Sequence, residues 1–137
     1  METLNVFIGT KLLDRHNGIY TLKIQKKSGS FVLPTMTVSR KEELDSYYIV
    51  LYALYDLVRA YKYNDERLKI NYYANNGDLY YDWALNHNFE EIRYIELWKK
   101  INRELDDSNI ILDIKNQEQL LNELSVMMME VKHGECE

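Results

Sequence analysis

The sequence predicts a mixed α/β fold in one domain over residues 1–137, with elements in the order β-β-β-α-β-α-α-β-α and a five-stranded mixed sheet flanked by helices. Three observations carry this reading. The first forty residues hold three consecutive β-rich runs separated by turn chemistry. Leu44 to Tyr63 then has the period of a single long helix. Beyond it, short β-rich runs alternate with helical patterns, as strands reached through crossover helices do.

Leu4 to Leu13 (LNVFIGTKLL) is apolar and β-rich enough for a strand. Arg15-His16-Asn17-Gly18 follows, and Asn-Gly is a strong hairpin signal. Ile19 to Gln25 alternates apolar and polar side chains, as a half-buried strand should. After the turn at residues 26–30, Phe31 to Val38 (FVLPTMTV) reads as a third strand, and Pro34 places it on a sheet edge. Three strands joined by tight turns make an antiparallel meander.

Ser39 to Glu42 matches a capping box and predicts the start of the long helix. Its apolar positions are Leu44, Tyr47, Tyr48, Leu51, Leu54, Tyr55, Val58 and Tyr61, with Tyr52 pointing away. Twenty helical residues span roughly 30 Å, about the width of a small domain. Arg67 to Tyr73 is a short strand that can lie parallel to the first. Leu79 to Leu85 is a short helix. Asn88 with Glu91 repeats the capping pattern before a helix over Phe89 to Leu105, with Ile92, Ile95, Trp98, Ile101 and Leu105 on one face. Asn109 to Ile114 is the last strand. Asn116 caps a final helix to about Val131, and the tail from about residue 132 frays.

Composition narrows the function classes. Acids outnumber bases 22 to 17, for a net charge of −5, which disfavours a protein that grips nucleic acid through its phosphates. The start METLNVFIG lacks the features of a signal peptide, and no run of eighteen apolar residues exists, so a cytoplasmic, non-membrane protein is expected. The single Cys136 excludes an intrachain disulfide. Twelve Tyr against 3 Phe is the compositional anomaly, and tyrosine is at home in protein interfaces.

Several segments together resemble the ribonuclease H family over nearly the whole chain. Asn17 to Ile24 (NGIYTLKI) resembles its Gly-rich turn leading into the second strand. Ser46 to Val58 is similar to its central helix, with Leu51, Ala53 and Leu54 keeping that helix's spacing. Ile95 to Leu105 (IELWKKINREL) resembles its Leu-Trp segment, and Leu121 to Val131 the opening of its terminal helix. The resemblance implies a phosphodiesterase fold in which four carboxylates seat two Mg²⁺ ions that stabilise the attacking and leaving oxygens. Those four positions fall here on Gly9 (or Thr10), Val50, Tyr73 and Val126, and none carries a carboxylate. A shifted register would put Asn75 at the third, but a neutral amide is a poor ligand for a divalent pair. The family's histidine after the last strand is also replaced, by Asn116-Gln117.

A relocated metal site would have to use Asp14, Asp56, Asp78 and Asp82, of which only Asp78 and Asp82 sit one helical turn apart. His16, His87 and His133 are scattered without ligand spacing. Tyr52, Tyr72, Tyr73, Tyr80 and Tyr81, with Met129, are the candidates for a partner-contact surface. The expectation is therefore a degenerate, non-catalytic binding module without cofactor, of bacterial, phage or mobile-element origin. It would act as an interaction, inhibitor or adaptor protein, through a protein partner or self-association. The alternatives are a metal-dependent nuclease with relocated carboxylates and a non-cleaving nucleic-acid binder.

Overall fold

The computed structural model describes residues 1–85 and 93–116. The predicted helix cap at Asn88, the terminal helix with Val126 and Met129, His87, His133 and Cys136 lie outside them. The strands are β1 (Glu2–Leu12), β2 (Asn17–Lys26), β3 (Gly29–Val32), β4 (Met36–Ser39), β5 (Leu68–Ala74) and β6 (Ile110–Asn116). The helices are α1 (Ser46–Tyr61), α2 (Gly77–Leu85) and α3 (Ile95–Asp106). Asn116 ends β6 and is buried; the helix it is expected to cap lies outside the described residues.

The sheet runs β3-β2-β1-β5-β6, with β4 also on β2, so it has five positions. The hairpin pairing β1–β2 is antiparallel, and β5 and β6 are parallel to β1 and β5 respectively. In β1 the alternation is strict: Leu4, Val6 and Ile8 are buried under the helices, while Thr3, Asn5 and Phe7 occupy the opposite face. Leu68, Ile70 and Tyr72 of β5 continue the buried face.

The expected third strand is broken in two. Val32 pairs with Lys23 and Met36 with Tyr20, so the pairing slips by one residue between them and Pro34-Thr35 together oppose Thr21. This is a β-bulge on an edge strand, where a residue without an N–H does least harm. The Thr35 and Thr21 hydroxyls, 2.9 Å apart, close it.

The long helix starts later than its sequence signal. Ser39 belongs to β4, where its hydroxyl donates to Asn17 Oδ1. Residues 40–44 are held to the β1–β2 loop instead: Arg40 N–H donates to the His16 carbonyl and Leu44 N–H to that of Arg15. Asp45 is the cap, its carboxylate accepting from Tyr48 N–H at 2.8 Å. The helix buries more than one stripe: Tyr47, Ile49, Val50, Leu51, Ala53, Leu54, Leu57 and Val58 are all covered, because α1 lies between the sheet and α3. Tyr48, Tyr52, Tyr55 and Tyr61 flank that core half-buried. Tyr52 therefore does not point away; its ring lies between those of Tyr48 and Tyr55.

Close packing of α1 on the hairpin rests on Gly18. A methyl group there would stand 2.6 Å from Ile49 Cδ1 and 3.0 Å from the Lys11 carbonyl. Leu97, Trp98 and Ile101 of α3 then complete the core over α1.

Candidate functional site

The described positions marked by the family resemblance come from β1, α1 and β5, and strand alternation puts Gly9 and Tyr73 on the sheet face opposite to α1. Gly9 is exposed near the end of β1, with nothing among the described residues within 4 Å of where a Cβ would sit. Thr10, the neighbouring candidate, accepts at Oγ1 a 3.5 Å contact from Asn75 Nδ2, which joins the ends of β1 and β5. Val50 is fully buried, and its carbonyl accepts from the buried Tyr72 hydroxyl at 2.7 Å. Tyr73 lies flat on Phe7, ring centroids 4.7 Å apart, in register with it across the parallel pair. The fourth position, Val126, lies outside the described residues.

Each of the three described positions is thus electrically neutral and committed to packing or left bare. Thr10 and Asn75 can present oxygens, but neither supplies negative charge, which a hard divalent cation needs to shed its water. Burial holds the Tyr72 phenol well above the ordinary tyrosine range, so this hydroxyl stays a donor to Val50 at any working pH.

The four alternative carboxylates are dispersed and mostly engaged. Asp14 accepts from the His16 and Asn17 backbone N–H groups and from the Asn17 side chain, closing the β1–β2 loop. The His16 backbone bond, followed by the Asn17 side chain, lowers its pKa. Asp56 on α1 accepts from the Tyr20 hydroxyl at 2.8 Å. Asp82 on α2 accepts from the Tyr47 hydroxyl, which itself accepts from the Trp98 indole N–H at 3.0 Å. Asp78 stands exposed in the first turn of α2. Among the described residues no three His, Cys, Asp or Glu side chains come together.

The Trp98–Tyr47–Asp82 chain ties α3, α1 and α2 at one point. Burial, then the Asp82 hydrogen bond, pushes the Tyr47 phenol well above its ordinary range. Sequence reading gave no sign of it, since its members are separated by 35 and 51 positions. A second unforeseen cluster holds the Arg40 guanidinium between the rings of Tyr48 and Tyr94, 4.7 and 4.9 Å from their centroids. Tyr94 is the left-handed residue opening α3.

The proposed contact tyrosines separate by burial. Tyr72 is fully buried and is no part of any surface, a correction that follows from the alternation of β5. Tyr73 is half-buried against Phe7. Tyr80 and Tyr81 meet edge to face on α2, with Tyr81 54% exposed. Lys115, paired with Asp113 at 3.1 Å, adds positive charge at the end of β6; the Asp113 hydrogen bond raises its pKa, and Tyr73 and Tyr80 add to the shift.

Comparison with known proteins finds likeness in structure alone. No family model matches the sequence, and no curated protein matches it significantly. Solved ribonuclease H domains superpose on most of the chain. One is LC9-RNase H1, a type 1 enzyme with the type 2 active-site motif, at 12% identity and TM-score 0.56 over 90% of this chain and 70% of that one. Another is LC11-RNase H1 in complex with an RNA/DNA hybrid, at 15% identity and TM-score 0.53 over 85% and 87%. A third is the N-terminal RNase H domain of a Mycobacterium tuberculosis protein, at 8% identity and TM-score 0.53 over 86% and 85%. Among the described residues no helix is long and apolar enough to cross a membrane. The chain has a ribonuclease H-like fold: a mixed sheet of about five strands flanked by helices.

Proposed function

We propose that this chain is a non-catalytic ribonuclease H-like domain that works by binding a protein partner. The observation that carries the reading is Val50. A carboxylate borne on α1 at that position would sit in a site with no solvent exposure, against a carbonyl already taken by Tyr72. An ionised group there would lack both water and a cationic partner, and its burial would cost several kcal/mol. Gly9 and the stacked Tyr73, on the other face of the sheet, carry no charge either. The surplus of tyrosine and the net charge of −5 favour protein over nucleic acid as the partner, with Tyr80 and Tyr81 on α2 as contact residues.

A metal-dependent nuclease is the second reading, supported by the RNA/DNA hybrid held by one structural neighbour. It requires a carboxylate set other than the one the resemblance marks. The two readings are separated by incubating the purified chain with a labelled RNA–DNA hybrid in Mg²⁺ or Mn²⁺ while following its melting temperature. The binding-module reading expects neither cleavage nor a metal-dependent rise, since a cation bound to the native state must stabilise it. Turnover accompanied by a rise in melting temperature would establish the nuclease.

A further inference from the structure

We propose that the β3 edge of the sheet is a self-association edge, through which two copies of the chain pair antiparallel about a two-fold axis at Phe31. The inference is independent of whether the family-marked positions on β1, α1 and β5 are catalytic, because it uses the β3 edge, separated from β1 by β2.

Residues 29–39 (GSFVLPTMTVS) form the whole edge beyond β2 and contain no charged residue. Exposed edges ordinarily carry charges that repel another strand. The other terminal strand, β6, does: Asp113 and Lys115 stand on it. On β3 Phe31 is 38% and Val32 63% exposed, with Lys26 over one side of the Phe31 ring, and Met36 on β4 is 48% exposed. Phe31 pairs with Ile24 on the core face, so it is the rim of the hydrophobic core rather than a solvent-side residue.

Backbone geometry points the same way. Leu33 N–H donates to the Leu22 carbonyl at 2.9 Å, and antiparallel alternation then turns Phe31 toward β2 and the N–H and C=O of Ser30 and Val32 outward. A two-fold at Phe31 sets Ser30 opposite Val32 of the second copy, giving about four backbone hydrogen bonds. It also brings the two Phe31 rings together as a close cross-strand aromatic pair. The nearest charge is Lys26 at the end of β2, whose ammonium lies over the Phe31 ring 5.6 Å from its centroid and off the pairing edge; Lys27 falls opposite Thr35 of the second copy. Uncharged self-complementarity is what an isologous contact requires, and it favours a second copy over a charged partner. The bulge at Pro34, with no N–H to offer, ends the pairing after β3 and closes the assembly as a dimer.

Light scattering after gel filtration, at high micromolar concentration, tests this. The wild-type chain is expected at twice its 16.4 kDa mass, and Val32→Lys at the single mass with an unchanged circular dichroism spectrum. In a Cys136→Ser background, Phe31→Cys is expected to form a disulfide-linked dimer on mild oxidation at least tenfold faster than Tyr63→Cys, an exposed control. A wild-type chain that stays at 16.4 kDa overturns the proposal. So does a Val32→Lys variant that keeps the double mass, or equal cross-linking of the two cysteine variants.

Discussion

The Tyr72 hydroxyl donates to the Val50 carbonyl at 2.7 Å inside a region closed to solvent, joining β5 to α1 level with Val6 of β1. In this arrangement the helix position that the family resemblance marks for an acid is part of the hydrophobic core. Tyr72→Phe removes the donor and leaves the carbonyl with its helical bond. The expected loss is about 1 kcal/mol, read as a lower denaturant midpoint with unchanged slope.

Putting the acid back should be costly and pH-dependent. Val50→Glu places a carboxyl where its charged form has no water, so its folded pKa rises above the unfolded value of about 4.3. The penalty is absent below that value, where both states are protonated. It grows as pH rises through it and levels off above the folded pKa. We expect a loss of about 3 kcal/mol or more at pH 7, largely relieved near pH 4. Urea melts at both pH values measure it, and a flat difference would contradict the burial.

The two glycines of the hairpin should respond oppositely. Gly18→Ala forces Ile49 or the Lys11 carbonyl aside and is expected to cost about 1–3 kcal/mol. Gly9→Ala meets nothing within 4 Å among the described residues and should leave the melting temperature within a few degrees. Thermal melts of the pair decide it.

Much of the fold was legible because hydrophobic period depends on local spacing. The strands of the meander and Leu68–Ala74 follow from it, while the missing N–H of Pro34 marked the edge and the intervening helix the parallel return. The helix start at Asp45 was not legible, because Ser39 offers equal capping chemistry and only pairing with β2 removes it. Two-sided burial of α1 hid Val50 and Ile49 from a one-stripe reading, since α3 covers a face that an isolated helix would show to water. At the site, neutral residues at Gly9, Val50 and Tyr73 were read directly from identity. The bonds of Asp56 and Asp82 to Tyr20 and Tyr47 needed the fold to bring distant residues together.

Those buried phenols predict alkaline sensitivity. Tyr20, Tyr47 and Tyr72 all have pKa values raised first by burial, and Asp56 and Asp82 add to the first two. Each favours the folded state fully below the unfolded value of about 10 and loses that contribution as pH climbs toward the folded one. Stability should fall steeply above pH 10, with tyrosinate absorbance rising together with loss of helical signal. Tyr47→Phe is expected to cost about 1.5–3 kcal/mol at neutral pH, because a buried two-way hydrogen bond is lost.

A non-catalytic domain is tested most directly by calorimetric titration of the folded chain with Mn²⁺, in the presence and absence of an RNA–DNA hybrid. No saturable heat in the micromolar to low millimolar range and an intact hybrid are the expected result. A stoichiometric binding isotherm with hybrid cleavage, both abolished by substituting the responsible carboxylates, would contradict it.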